Sequence, residues 1–220
     1  MESREIWERL EKQLKIHAPQ LLASFRPAVE HSLLDEFEAE TGLRLPDDIR
    51  FAYMRYNGTV FTNWDQINLF GGIRWWPLAE VIEQWRNTGE SIEQLEMSEV
   101  YDFDESDPNW HVVPIRPFSF ITPNKWIPIG DAYGTILYID FLPGPTGLQG
   151  QLIKHYSHGA SDFSVMAPSF QAYLSDLVRN LENGKIAVLT RPGTQMQYWG
   201  HKGSNVEFTA LGHANVYPLV

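Results

Sequence analysis

Residues 126–156 constrain the fold of this chain more than any other stretch. They hold three short apolar or β-branched runs, at residues 126–129, 135–139 and 151–156. The first connection, residues 131–134, contains Asp and Gly, which tolerate the dihedral angles of a tight reversal. The second, residues 143–150, contains two prolines and three glycines and cannot be helical. The alternation of runs and turns predicts a three-stranded antiparallel meander.

Amphipathic helices are predicted on both sides of the meander, because apolar residues recur there at helical spacing. The predicted helices are residues 2–16, 21–25, 29–40, 45–56, 78–85 and 168–181. In the fourth, Tyr53 and Tyr56 belong to one buried stripe, and Asn57-Gly58 is expected to cap the C-terminal end. Ser169 is expected to cap the start of the last helix.

The remaining segments contain weaker strand signals. The candidates are residues 67–70, 73–76 and 186–189, with residues 195–199 and 206–210 as a possible hairpin. The fold class we predict is α+β, with a single mixed, mostly antiparallel sheet and helices packed against it. We divide the chain into an N-terminal helical extension (1–26), a central domain (27–185) and a C-terminal extension (186–220) whose aromatic residues favour packing on the core.

Charge and composition narrow the class of partner. The chain has 220 residues, no Cys and a net charge of −11, and eight acidic residues lie within residues 90–107, which contain no Lys or Arg. An acidic surface disfavours nucleic acid and favours a basic partner, although acidity also serves solubility alone. No window is long and apolar enough for a membrane span, and the N-terminal segment is unlike a signal peptide. We therefore expect a cytoplasmic protein.

The sequence motifs favour a binding protein over an enzyme. The sequence has no nucleophile elbow, P-loop, dinucleotide fingerprint or H-E-x-x-H motif. Asp131 and Asp140 could be the paired carboxylates of a hydrolase. The preferred alternative is that each accepts backbone N–H groups, Asp131 in a tight turn and Asp140 at a strand end. We expect no catalytic residue and no cofactor.

Metal binding is not favoured either. His155 and His158 are three residues apart, but on a strand and a turn they would not share one face. Asp102, Asp104 and Asp107 have a spacing similar to that of a calcium loop, but the central Gly and the closing Glu of such a loop are missing. We expect no metal site.

The meander carries a motif that resembles the SUKH superfamily, a group that includes fungal cell-wall assembly regulators and bacterial toxin-immunity proteins. The motif residues are Trp126, Pro128, Gly130, Asp131, Gly134, Asp140, Pro143, Gly144, Gly147 and Gly150. Two flanking pieces, 45–58 and 169–174, stand where that family would have them, so the resemblance covers roughly residues 27–185. The resemblance implies an α+β fold and a non-enzymatic protein that binds a cognate toxin. The toxin is expected to be basic, and a nuclease is one candidate. The alternative that the resemblance implies is a regulatory scaffold with client proteins.

A partner-binding surface is expected around the acidic segment. Adjacent residues on a strand point to opposite faces, so one of Trp75 and Trp76 is expected in the core and the other, Trp76, nearer the surface as an interface anchor. Each residue also has a structural alternative, a packed Trp or a solvated acid. The candidate contact residues are Trp76, Glu93, Glu96, Glu99, Asp102, Asp104, Glu105, Asp107 and Trp110.

Overall fold

A computed structural model of the chain describes residues 3–93, 112–116, 123–156, 162–204 and 207–208. These residues form helices and antiparallel strands, which confirms the α+β class. The helices are α1 (Ser3–His17), α2 (Pro19–Ser24), α3 (His31–Thr41), α4 (Asp47–Arg55), α5 (Leu78–Glu93) and α6 (Phe170–Glu182), with a short 3₁₀ helix at Pro123–Lys125. The strands are β1 (Phe25–Pro27), β2 (Tyr56–Thr59), β3 (Arg74–Trp75), β4 (Trp126–Ala132), β5 (Thr135–Asp140), β6 (Gln151–Tyr156), β7 (Asp162–Ala167), β8 (Ile186–Thr190) and β9 (Gln197–His201).

The predicted meander is present and forms the centre of a five-stranded sheet. That sheet has the order β3-β4-β5-β6-β7, and its neighbouring strands are antiparallel. The described strands are divided among three sheets, where we expected one, because β1–β2 and β8–β9 form separate two-stranded sheets. Helix α6 lies between β7 and β8 in the chain, and the C-terminal hairpin forms a sheet of its own.

The first turn of the meander is tighter than predicted. Strand β4 continues through Asp131, which pairs with Ile136, and only Tyr133 and Gly134 form the reversal. Both residues have positive φ, 41° at Tyr133 and 80° at Gly134. This is the pattern of a two-residue turn whose twist matches that of the strands it joins. Asp131 is therefore a strand residue and not a turn residue.

The end of α4 also differs from the prediction. The helix ends at Arg55, and Tyr56, Asn57 and Gly58 belong to β2 instead of forming a C-terminal cap. Gly58 has φ 71°, and a Cβ there would lie 2.6 Å from the carbonyl carbon of Trp76. The side-chain oxygen of Asn57 accepts a hydrogen bond from the backbone N–H of Leu78 at 2.7 Å. The Asn-Gly pair therefore fixes the start of α5 and not the end of α4. Leu78, the first residue of α5, lies 21 residues after Asn57 in the chain.

Two smaller strand predictions changed. Residues 67–70 make isolated bridges, Asn68 with Gly71 and Phe70 with Ile73, and no regular strand. In the C-terminal segment β9 pairs with β8 over its whole length. Of the predicted partner segment 206–210 the structure describes residues 207 and 208, which contact β9 through a bridge from Gly200 to Glu207 and a hydrogen bond from the Phe208 N–H to the Trp199 carbonyl oxygen. Residues 186–189 are confirmed as a strand.

One large core lies between the five-stranded sheet and the helices. Its sheet side is formed by apolar residues that alternate along the strands, including Ile127, Ile129, Leu137, Ile139 and Leu152. The aromatic part of this core brings Trp7, Phe25, Tyr53, Trp75 and Phe170 into ring contact. The residues between them in the strands, Tyr138 and Ile153, belong to a second, smaller cluster on the opposite face. The sheet is therefore buried from both sides.

The segments outside the central domain join the same core. Ile6, Trp7, Leu10 and Leu14 of α1 are buried, and α1 packs against α6. Ile186, Trp199 and Phe208 belong to the same cluster. The boundaries proposed at residues 26 and 185 stay a prediction. Among the described helices none is both long and apolar enough to cross a membrane.

Candidate functional site

Asp131 lies at the junction of β3, β4 and α5. One of its carboxylate oxygens accepts hydrogen bonds from Arg74 Nε at 3.0 Å and from Trp76 Nε1 at 2.6 Å. Arg74 also pairs with Glu80 of α5, with Nη2 2.6 Å from the carboxylate. The prediction that Asp131 accepts backbone N–H groups in a turn is wrong, because the residue lies on a strand and faces two side-chain donors. The arrangement fastens α5 and β3 to the meander.

Trp75 and Trp76 are both buried, so the prediction of one exposed Trp is wrong. Trp75 is fully buried, with its ring centroid 5.2 Å from that of Tyr53. Trp76 is 4% exposed and lies on the other side, with the Arg74 guanidinium 5.7 Å from its ring. Alternation along the strand does separate the two rings, but each side of this strand is covered. Trp76 therefore presents no anchor to a partner.

Asp140 is fully buried at the end of β5. Its carboxylate accepts hydrogen bonds from Trp126 Nε1 at 3.0 Å, Gln151 Nε2 at 2.9 Å and the backbone N–H of Leu142 at 2.9 Å. The last bond confirms the predicted role of Asp140 as an acceptor after the strand. Burial raises the pKa of Asp140, an effect that its hydrogen bonds oppose.

The two aspartates do not form a catalytic pair. Asp140 lies opposite Trp126 in the register, whereas Asp131 lies five residues further along the same strand. At about 3.3 Å per strand residue the separation is roughly 16 Å. The carboxyl groups of glycoside hydrolases stand about 5 to 9.5 Å apart. The distance and the occupied hydrogen bonds assign both residues structural roles.

The glycines of the motif allow close approach of backbones. A Cβ at Gly130 would lie 2.1 Å from the carbonyl oxygen of Arg74. Cβ atoms at Gly144 and Gly147 would lie 2.2 Å and 2.0 Å from the carbonyl oxygens of Val113 and Pro114. The long loop thus packs directly on residues 112–116, and Pro143 bridges to Ile115. These motif positions hold the sheet and its second loop together.

Most of the predicted contact residues lie outside the residues that the structure describes. Glu93 is the last residue of α5. The others, Glu96, Glu99, Asp102, Asp104, Glu105, Asp107 and Trp110, lie outside the described residues, as does His158. The acidic docking surface therefore stays a prediction. His155 stacks on Phe163 with ring centroids 4.2 Å apart, and burial lowers its pKa. Across the described ranges no three His, Asp or Glu side chains gather as metal ligands would.

An aromatic surface that the sequence analysis missed lies beside the first turn of the meander. We define it as Phe61, Trp64 and Tyr133. The ring centroids of Phe61 and Trp64 are 4.7 Å apart, and those of Trp64 and Tyr133 are 5.1 Å apart. Tyr133 is 49% exposed, whereas Phe61 and Trp64 are partly buried. The signal in the sequence was a Tyr directly before the turn glycine, at a position where Asn, Asp or Gly is usual.

Comparison with known proteins adds to this geometry. Residues 29–176 match the model of the SMI1 / KNR4 family (SUKH-1). The chain is 27% identical over 216 residues to "KNR4/SMI1 homolog 2" of Debaryomyces hansenii, a match that covers 83% of this chain and 36% of the relative. It is 24% identical over 185 residues to "Cell wall biosynthesis/cell cycle regulator smi1" of Schizosaccharomyces pombe, covering 82% of this chain and 36% of the relative. The chain thus spans about a third of the length of these curated relatives. On the match across residues 29–176, which include the whole meander and its glycine motif, the chain belongs to the SMI1/KNR4 family.

Proposed function

We propose that this chain is a non-enzymatic protein-binding module that regulates its partners, since its Schizosaccharomyces pombe relative is named as a regulator of cell wall biosynthesis and the cell cycle. The observation that carries the proposal is the extent of the match. Similarity to the Debaryomyces protein covers 83% of the chain, more than the family segment at residues 29–176 alone. The shared region therefore includes parts of the flanking segments, which the structure packs into the same core.

The described geometry supports binding over catalysis. Asp131 and Asp140 are the two carboxylates that the sequence offered as a catalytic pair, and each is held by structural hydrogen bonds at opposite ends of one hairpin. A regulator needs a rigid surface and no reacting group. Aromatic and arginine side chains on a rigid scaffold are the usual anchors of protein interfaces.

A second candidate is an immunity protein that neutralises a basic toxin of nuclease type. It is favoured by charge, since eight of the acidic residues in a chain of net charge −11 lie within residues 90–107. An acidic segment of this kind would speed encounter with a basic substrate groove and compete for it. Such a protein also needs no chemistry of its own, because occlusion of the toxin is sufficient.

Affinity capture from the native host, with the whole chain as bait at low and at moderate salt, separates the two candidates. A recurring set of signalling or wall-synthesis proteins supports the regulator. One basic protein that is released as salt rises, together with protection in co-expression, supports immunity. An empty capture at both salt concentrations would contradict both.

A matched pair of variants sharpens the capture. The test variant reverses Glu90, Glu93, Glu96 and Glu99 to Lys. The control reverses four exposed acids elsewhere, Glu8, Glu30, Glu36 and Asp47. The net charge changes equally, so a partner lost only with the test variant binds the acidic segment and not the overall charge. A partner retained by both variants would exclude the acidic route and with it the immunity candidate.

A further inference from the structure

We infer that the aromatic surface (Phe61, Trp64 and Tyr133) binds an extended, proline-containing segment of a partner protein that carries a Lys or Arg close to its prolines. The inference rests on the proposed function, because it names the site and the chemistry of the partner. It does not use the acidic segment at residues 90–107.

Tyr133 occupies a position that does not favour tyrosine. Its φ of 41° makes it the sole non-glycine residue with positive φ among the described residues. The first position of this turn type favours Asn, Asp or Gly. A strained residue that persists at an exposed tip points to a role for its side chain. The ring lies 49% exposed against Trp64, so that role is at the surface and not in the core.

The loop that carries Phe61 and Trp64 is rigidly held although it has no regular structure. Tyr173 and Trp199 donate side-chain hydrogen bonds to the carbonyl oxygens of Leu69 and Asn68, at 2.9 and 3.0 Å. The backbone N–H of Gln197 donates to the carbonyl oxygen of Asp65 at 2.8 Å. A surface that is ordered in advance loses little conformational entropy when a ligand binds.

The polar groups of the surface define the ligand. No hydrogen-bond partner is found within the described residues for the indole N–H of Trp64 or the hydroxyl of Tyr133. These two groups can donate to carbonyl oxygens. A polyproline-type segment has a fully solvated backbone, offers carbonyl acceptors and lacks N–H donors at its prolines. Its rings can lie across the exposed aromatic faces.

The charge of the surface requires a basic residue in the ligand. Arg74 lies 5.0 Å from the Phe61 ring, but its guanidinium is already paired with Asp131 and Glu80. The carboxylate of Asp65, next to Trp64, has no ion-pair partner among the residues that the structure describes. A Lys or Arg beside the prolines would pair with it. Two copies of this chain, each with net charge −11, would repel each other, so a second copy is disfavoured.

A carbohydrate fits the same surface less well. Sugar recognition needs hydrogen-bonding side chains around the aromatic rings. Here the neighbouring polar side chains bond within the loop, since Thr62 donates to Gln66 and Asn63 accepts from the backbone N–H of Asp65. The aromatic faces, the Trp64 and Tyr133 donors and the Asp65 carboxylate match a proline segment with a basic residue better than they match a sugar.

Selection of a phage-displayed library of random dodecapeptides on the whole chain tests the inference. We expect enrichment of prolines with an adjacent Lys or Arg. The tightest peptide, labelled and titrated by fluorescence anisotropy, should lose about tenfold in affinity with Tyr133→Asn and with Trp64→Ala. Tyr133→Asn keeps a residue suited to the turn, so it remains folded if Trp64→Ala does not. Leu148→Ser, which changes an apolar side chain that is 57% exposed elsewhere, is the control and should leave the affinity within about twofold.

Each of the following outcomes would overturn the inference. Selected peptides without proline would do so, as would a proline peptide whose affinity neither surface variant changes. A soluble glucan oligosaccharide that perturbs the Trp64 indole resonance, or concentration-dependent dimers lost with Tyr133→Asn, would assign the surface to another ligand. Partners captured equally by the wild type and Tyr133→Asn would leave the proposed function intact and remove this inference. An empty capture with the proline peptide still bound would do the reverse.

Discussion

At the scale of the residue, two glycines with similar positive φ angles have different surroundings. Gly42 has φ 65°, and a Cβ there would meet nothing within 4 Å, whereas a Cβ at Gly58 would lie 2.6 Å from the backbone of Trp76 and Pro77. We expect Gly42→Ala to lower the free energy of unfolding by about 1 kcal/mol, through backbone strain alone. Gly58→Ala should lower it by about 3 kcal/mol or more, because it adds a steric clash. Urea denaturation of both variants measures the difference.

One result would contradict the expected difference between Gly42→Ala and Gly58→Ala. Equal losses in the two variants would mean that β2 can move away from the segment at residues 76–77 without cost. In that case the close approach at Gly58 would not be what selects glycine at this position.

Asp140 makes stability depend on pH. Because burial raises its pKa, the folded protein holds the Asp140 proton more tightly than the unfolded chain does. The contribution of Asp140 is therefore fully present below the unfolded pKa of about 3.9 and is lost as pH rises through the folded pKa. We expect Asp140→Asn, which does not titrate, to gain stability relative to the wild type as pH rises from about 3 toward neutrality. Urea titrations of both proteins at several pH values measure this difference.

Using the difference between two otherwise identical proteins cancels the titration of the remaining carboxylates. A difference that stays constant over the whole range would show that the hydrogen bonds from Trp126, Gln151 and Leu142 fully offset the burial of the charge.

At the scale of the element, the N-terminus of helix α5 is capped by a side chain of strand β2. The side-chain oxygen of Asn57 in β2 accepts the backbone N–H of Leu78, the first residue of the helix. We expect Asn57→Ala to lower the free energy of unfolding by about 1 kcal/mol, as is usual when a helix cap is removed. Asn57→Asp keeps the acceptor and adds a charge that suits a helix N-terminus, so it should lose less than half of that. A larger loss in the Asp variant than in the Ala variant would contradict the capping role.

The same element shows what local sequence can and cannot predict. The amphipathic helices and the meander follow from spacing within one segment, so α1, α3, α4, α6 and β4–β6 were predicted close to their observed bounds. Asn57-Gly58 has the composition of a helix end, yet its role is set by Trp76 and Leu78, which tertiary packing brings to it. The pairing of β9 with β8 likewise depends on which strand is nearer in space.

The candidate site was less predictable than the fold. Burial of Trp76 depends on the positions of Arg74 and Asp131, which lie on different strands. The aromatic surface joins Phe61 and Trp64 to Tyr133, about 70 positions further along the chain, and no periodicity relates such residues. An unusual residue at a turn is the signal that can be read locally, because turn types restrict their residues.

At the scale of the whole molecule, the family segment is expected to be an incomplete folding unit. Four apolar residues of α1 and the side chains of Ile186, Trp199 and Phe208 lie in the same core as the meander. An ion pair of Arg9 with Glu182, at 2.6 Å, also joins α1 to α6. A fragment limited to residues 29–176 would leave the apolar surface beneath these groups in contact with water.

We expect that fragment to bind the dye ANS and to unfold without a cooperative transition, whereas residues 3–208 unfold cooperatively. Circular dichroism on heating, together with dye fluorescence, measures both properties. Trp7→Ala in the full chain is a milder test and should lower the free energy of unfolding by about 3 to 5 kcal/mol. A fragment as stable and cooperative as the full chain would show that α1 and the C-terminal hairpin are accessory.

The hydrogen bonds from Trp199 and Gln197 to the loop at residues 60–73 have a consequence for synthesis. On the ribosome the loop is synthesised long before Gln197 and Trp199. The carbonyl oxygens of Asp65 and Asn68 can therefore accept these hydrogen bonds only after the chain has been made past residue 199. Until then the aromatic loop lacks these hydrogen bonds, and the core beside it lacks Trp199 and Phe208. The nascent chain therefore completes its fold late, and a pause in translation between residues 70 and 199 would lengthen the time during which this loop lacks its hydrogen bonds.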